Sequence, residues 1–341
     1  MKPDDRTFLN TPIKIGEKVI SKRLSLAPMA GLGHVAFREL LAGYGGYGLM
    51  FTEMCNARAV PHENRRLSPV FRWRDEELPT LVCQIFGSDP MDMAKAAERI
   101  EKEGFFGVDL NFGCSVQAIL KKNCGAALLK NPVLASDIVK AVRRAVSIPL
   151  FVKYRTGFED DPDIPVDMAR RFEDAGADAL TFHPRVAPDR RTRPPKWEYI
   201  KKVKEALAIP VFGNGNIFDG ADGSAMIGKT GCDGLSLGRI AIAKPWIFAA
   251  WTEGFQITDA IYRDAILQMI ALLNRHFEPS LAIKLFKKFA IYFSANFKFG
   301  HAIYKEMSRE ETMGAMETHV ERLFEKTPER LDRPDLNMFT R

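Results

Sequence analysis

Asp109-Leu-Asn-Phe-Gly-Cys-Ser115 closes an apolar run that starts at Gly107, and it closes it in an amide, Asn111, and a thiol, Cys114. The same grammar, an apolar run stopping in polar or glycine residues, recurs along the chain. Seven further runs rich in Val, Leu, Ile and Phe lie at 24–28, 47–54, 79–86, 149–155, 178–183, 210–213 and 233–237. They do not alternate strictly between apolar and polar residues, as expected of strands buried on both faces. Amphipathic helical stretches separate most of them, such as 90–103, 132–146 and 166–175. Eight strand–helix units in roughly 230 residues predict a (β/α)8 barrel, the TIM barrel of the α/β class. A doubly wound open sheet is the alternative, but no GxGxxG follows the first run.

Before the barrel, 11–23 reads as a hairpin across its bottom, turning at Gly16-Glu17. Beyond Trp251 the character changes: 258–324 has helical periodicity, few glycines and no strand signal. The expected organisation is a barrel with its hairpin at 1–252, a small all-helical domain of three or four helices at 258–325, and a polar, proline-containing tail at 326–341.

Composition narrows the class. A hydrophobic share of 46% over 341 residues suffices for a large core, and the net charge of +6 leans toward a polyanionic partner. No run of 18 apolar residues occurs and the first residues lack a signal-peptide core, so a cytoplasmic protein with no membrane contact is expected. Five cysteines without a CxxC suggest neither a disulfide framework nor a metal site.

Active sites of such barrels lie at the C-terminal ends of the strands. The first run ends in Ala27-Pro28-Met29-Ala30-Gly31, small residues that let a flat ligand approach the backbone. The third ends near Gln84, whose amide suits the edge of a flavin pyrimidine ring. The fifth ends in Lys153, a cation fit to balance negative charge on a reduced flavin. The sixth ends in His183-Pro184-Arg185, the seventh in Asn214-Gly215-Asn216, and the eighth in Gly238-Arg239. The last two ends are a common phosphate position, where glycine backbones, helix N-termini and Arg239 can hold an anion. Arg185, Arg190, Arg191 and Arg193 make a basic lip beside this mouth. Cys114 reads either as a packed thiol or as a catalytic one, and the same choice stands for Cys124 before Gly125. Cys55, Cys83 and Cys232 read as core. In the helical region, Lys284, Lys287 and Lys288 share one helix face among interleaved aromatics, which suits contact with a nucleic-acid backbone.

Together these residues resemble the dihydrouridine synthase family, flavin enzymes that reduce uridine in RNA. The ordered series runs through Ala27-Pro28-Met29-Ala30-Gly31 with Phe37-Arg38, Glu53-Met54, Gln84-Ile-Phe-Gly87, Asp109 to Cys114 and Gly125 to Leu129. It continues with Lys153 and Arg155, His183 and Arg185, Gly213-Asn-Gly-Asn-Ile217, Gly231-Cys-Asp-Gly234, Gly238-Arg239 and Pro245-Trp-Ile-Phe248. The resemblance implies an FMN-binding barrel followed by a helical domain that grips tRNA, with no obligate protein partner. It implies that Pro28, Met29 and Ala30 line the flavin, that Gln84 and Lys153 bind its pyrimidine side, and that His183, Asn214, Gly215, Asn216, Gly238 and Arg239 hold ring and phosphate. Asn111 would position the uracil. Cys114 would protonate C5 as hydride reaches C6, with NADPH as the reductant. RNA contacts are expected at Arg185, Arg190, Arg191, Lys284, Lys287 and Lys288, with tRNA and ribosomal RNA not distinguished. The chain departs from the family pattern at Ser115, where the family has Pro, at Pro184-Arg185-Val186 after the histidine, and at Gly33-His34 after the first motif. The alternative function is an ene-reductase-like barrel enzyme acting on a small pyrimidine or enone.

Overall fold

A computed structural model describes every residue except 188, 190–192 and 339–341. Eight parallel strands form the sheet: β1 Leu24–Leu26, β2 Met50–Asn56, β3 Leu81–Phe86, β4 Gly107–Phe112, β5 Leu150–Gly157, β6 Ala179–Val186, β7 Val211–Asn214 and β8 Gly234–Leu237. Each pairs with its successor from β2 onward, and β8 returns to β1 with Leu235 beside Leu24. The ring closes between β1 and β2 through a bridge at Ser25 and Leu49, where Leu26 N–H donates to the Leu49 carbonyl at 3.0 Å. All eight strands fall where the apolar runs predict them.

The surrounding helices are α1 Val35–Tyr44, α2 Pro90–Lys102, α3 Pro132–Ala145, α4 Asp163–Asp174, α5 Trp197–Glu205 and α6 Gly220–Thr230. Their starts are written locally. Asp89 caps α2 by accepting from Met91 and Asp92 N–H, Asn131 caps α3 from Leu134 N–H, and each is followed by Pro at the first helical position. Between β2 and β3 only short 3-10 turns form, Val60–His62 and Asp75–Thr80. Prolines 61, 69 and 79 interrupt that segment and deny it a continuous helix.

The expected hairpin pairs Ile13–Ile15 with Lys18–Ile20. Its Ile15 and Ile20 pack with Phe51, Phe106, Phe151 and Phe212 in a separate apolar plug that fills the N-terminal end of the barrel. The site is thereby left to the other end. A helix at Pro3–Leu9 was not foreseen, because seven mostly polar residues give too short a period to read.

After β8 come two short helices, α7 Arg239–Ala243 and α8 Ile247–Thr252, then α9 Ile261–His276, α10 Pro279–Phe293, α11 Gly300–Met307 and α12 Met313–Glu325. None is long and apolar enough to cross a membrane among the described residues. The phenylalanines interleaved with the lysines of α10, Phe286, Phe289 and Phe293, are packing residues. Phe289 meets Phe37 of α1 at 6.3 Å and Phe293 at 5.1 Å, and Tyr262 of α9 meets Trp246 at 4.8 Å.

Residues 326–338, expected within a tail, instead lie fixed against the molecule. Phe297 bridges Arg330, Leu331 N–H donates to the Asn296 carbonyl at 2.7 Å, and Arg333 pairs with Asp219 and Asp222 at the start of α6. Leu336 is buried. The partners are backbone atoms and charges from distant segments, and a polar composition carries no periodic sign of them.

His34 ties the barrel to the C-terminal helices. Its Nδ1 accepts from Phe37 N–H at 3.3 Å, capping α1, and its ring meets Phe277 edge-on at 5.4 Å. Burial pushes the imidazole down to about 3, helped by the charges of Arg38, His276 and Lys288. The unfolded chain therefore takes up this proton first. Stability is full above about pH 6.5 and falls below it by roughly 1 kcal/mol per pH unit. Urea midpoints taken between about pH 7 and 5 should show this slope, and His34→Asn, which keeps an N-cap acceptor, should flatten it. Equal slopes would assign the acid sensitivity elsewhere.

Candidate active site

A cavity of about 600 Å³ opens at the C-terminal ends of the strands. Pro28, Met29 and Ala30 line it after β1, with Gln84 from β3, Asn111 and Cys114 from β4 and its loop, and Lys153 from β5. His183 and Arg185 of β6, Asn214, Gly215 and Asn216 after β7, and Gly238 and Arg239 after β8 complete the wall. The strand ends singled out in the sequence thus converge on one space.

The β3–β4 side is a chain of side-chain hydrogen bonds. Gln84 Nε2 donates to Asp109 Oδ2 at 2.6 Å, and Asn111 Nδ2 donates to Gln84 Oε1 at 2.8 Å. Asn111 Oδ1 accepts from the backbone N–H of Gly113 at 3.2 Å and of Cys114 at 2.9 Å. Gln84 and Asn111 therefore line the cavity with part of their bonding capacity already used inside the protein. Cys114 is half-buried, and its carbonyl accepts from Ala126 N–H at 2.9 Å. That turn needs Gly125: its φ is +63° and a side chain there would run into the Cys114 carbonyl. Cys124 is buried, as are Cys55, Cys83 and Cys232.

The β5–β6 side is cationic. Lys153 makes no hydrogen bond or ion pair within the described residues; burial lowers its pKa, Arg155 adds to that, and Asp109 and Cys114 oppose it. Burial raises the Asp109 carboxyl against the Gln84 hydrogen bond and the Lys153 charge. His183 is held neutral, first by burial and then by Arg155, Lys153, Arg185 and Arg239, and its shielded Nε2 has no partner among the described residues.

At the far end, Asn216 Oδ1 accepts from two guanidinium groups, Arg239 Nη2 at 2.8 Å and Arg185 Nη2 at 3.3 Å. Arg239 Nη1 is also held by the Leu336 carbonyl at 3.1 Å and by Asn337 Oδ1 at 2.6 Å. Gly215 has φ +116°, and a side chain there would collide with the His183 ring. The positive end of α6, expected to face an anion, is already capped by Asp219 and faces Arg333. The two arginines are the cations that this end offers instead.

Three expectations shift. Arg185 is not on an exposed lip but is buried in the cavity wall. Arg190 and Arg191 lie outside the described residues. Lys284 and Lys288 are exposed and Lys287 half-exposed on the free face of α10, but Lys288 leans over the barrel rim, where a side chain on Gly31 would meet its ammonium group. Beneath it, Glu53 accepts from Gly31 N–H at 2.5 Å. Sequence reading missed Tyr292, which follows Lys288 by one helical turn and enters the cavity lining from α10. Its spacing puts it with the lysines, but nothing local marks it as a cavity residue.

Comparison with known proteins follows the same outline. A family model described as dihydrouridine synthase matches residues 25–329. "tRNA-dihydrouridine synthase B" of Pseudomonas aeruginosa is 38% identical over 69% of this chain and 70% of its own. "Probable tRNA-dihydrouridine synthase 1" of Synechocystis is 33% identical over 80% of this chain and 76% of its own. Among solved structures, morphinone reductase in complex with tetrahydroNAD superposes with a TM-score of 0.52 at 13% identity, covering 73% of this chain and 92% of that one. A 2-naphthoyl-CoA reductase complex gives 0.56 at 15% identity over 73% of this chain and 52% of that one, so this chain spans about half its length. At such identities these likenesses concern the fold alone.

Proposed function

The chain belongs to the dihydrouridine synthase family, and on that premise we propose that it reduces uridine to 5,6-dihydrouridine in tRNA, with bound FMN and with NADPH as reductant. The observation that carries the reading is the sharing of one cavity by the Cys114 thiol and, with no partner among the described residues, the Lys153 ammonium group and a buried His183 nitrogen.

The residues present fit a flavin mononucleotide. Among the described residues His183 Nε2 is an orphaned polar atom, Gly215 leaves a cradle that a side chain would fill, and Arg185 and Arg239 bring two charges to the phosphate end. Lys153 balances negative charge at the pyrimidine edge, and Pro28, Met29 and Ala30 give the ring an uncrowded wall. When bound and reduced, the flavin supplies hydride to C6 of the uracil.

The remaining work falls to the chain. Negative charge develops at C5 as C6 is reduced, and the Cys114 thiol delivers the proton there. Asn111 faces the same space; the second N–H of its amide meets the Met54 sulfur at 3.6 Å, a weak acceptor that a uracil carbonyl can replace. The uridine must leave its stack to reach this depth. Residues 258–325 grip the RNA, with Lys284, Lys287 and Lys288 on phosphates, and Arg190 and Arg191 are further RNA contacts. A small enone or free pyrimidine has no use for that lysine face, which favours RNA.

The test is incubation of the FMN-loaded chain with NADPH and an unmodified tRNA transcript. Dihydrouridine at a defined position, read as a gain of two hydrogens by mass spectrometry, is expected. Turnover of a small enone with no product in tRNA would overturn the proposal.

A further inference from the structure

We propose that Asp109 is a positioning residue for the proton donor, anchoring a directional relay through Gln84 and Asn111 that fixes the backbone of the Cys114 loop. Asp109 lies on β4 and is fully buried. The mechanism gives it no contact with substrate. Its Oδ2 accepts from Gln84, Gln84 accepts from Asn111, and Asn111 accepts from the N–H groups of Gly113 and Cys114.

The argument turns on polarity. A side-chain amide is nearly symmetric in shape and can face either way, whereas an ionised carboxylate only accepts. Facing Asp109, Gln84 must present its NH2 group, so its oxygen turns to Asn111. Asn111 must then present its own NH2 group to Gln84, which aims its oxygen at the two loop amides. One carboxylate thus sets the direction of two amides in succession. Reversal at any link would set the Asn111 NH2 group against backbone N–H donors and release the loop. Burial raises the Asp109 carboxyl, and the Gln84 N–H and the charge of Lys153 oppose that rise in favour of the ionised form. Strand register supports the relay, since Gln84 lies beside Asp109 across β3 and β4.

Two variants test it in the full-length, FMN-loaded chain. Asp109→Asn keeps the shape but can present either end to Gln84, so the direction is lost; packing alone would leave such a near-isostere silent. Gln84→Met cuts the middle link while leaving the Asp109 side chain in place. Hydrogen exchange at the Gly113 and Cys114 amides, referenced to the β7 amides of the same molecule, should rise about tenfold in both variants, as expected for one lost hydrogen bond. Wild-type exchange at those two amides in either variant would overturn the proposal. The kinetic arm rests on the reading of Cys114 as proton donor. There, in Asp109→Asn, kcat for dihydrouridine formation should fall while KM for tRNA and flavin reduction by NADPH hold. Because exchange is read without turnover, it stands or fails separately from the assigned activity.

Discussion

Cys114→Ala lowers the rate of dihydrouridine formation at saturating tRNA by about 10²–10⁴-fold, the usual worth of a positioned proton donor. The change removes only the sulfur. The Cys114 N–H still reaches Asn111 Oδ1 and its carbonyl still accepts from Ala126, so the loop keeps its backbone bonds. FMN content and the rate of flavin reduction by NADPH should match those of the parent, because neither requires a proton at uracil C5. Cys114→Ser retains a hydroxyl of much higher pKa and should recover little of the loss. Single-turnover measurement on flavin reduced beforehand separates the chemical step from binding. An unchanged rate in that experiment would remove Cys114 from the reaction.

The largest expected effect on stability is at Glu77. Arg38 and Glu77 are both fully buried, with Arg38 Nε donating to Glu77 Oε2 at 2.6 Å. Arg38 also donates to the carbonyls of Gly33 at 2.6 Å and Arg72 at 2.7 Å. One guanidinium therefore joins the loop after β1, the start of α1 and the turn before β3. Glu77→Ala strands that charge in the interior and should cost about 3–5 kcal/mol, read from denaturant unfolding of the whole chain. Arg38→Met combined with Glu77→Leu removes both charges and should recover only part of the loss, because the Gly33 and Arg72 carbonyls then lack their donor. If Glu77→Ala matched the parent within about 0.5 kcal/mol, the pair would count as dispensable.

How far these features could be read beforehand depended on distance along the chain. The eight strands were legible because each is a short apolar run with its own boundaries, and their ends were legible because the barrel repeats one rule. Cys114, Lys153, His183 and Arg239 follow from that rule alone. What failed was set by segments far apart. Gln84 looked free for a ligand until Asp109 and Asn111 engaged it across two strands. Arg185 sat in a basic cluster by sequence, yet its strand turns it inward to Asn216. The anion-facing end of α6 was occupied by Asp219 and by Arg333 from 114 residues away. Tyr292 lines the cavity through the docking of α10, which no local pattern announces.

The segment at 326–338 bears on the timing of assembly. All eight barrel strands have been synthesised once residue 237 has emerged, but Arg239 is held by Leu336 and Asn337, 97 and 98 residues further on. A nascent chain can thus hold a finished sheet before Arg239 has met these two partners. If Arg239 holds the cofactor phosphate as proposed, cofactor capture would come late in folding, after residues 336 and 337 have docked. A chain interrupted between those points would then be expected to retain that phosphate poorly.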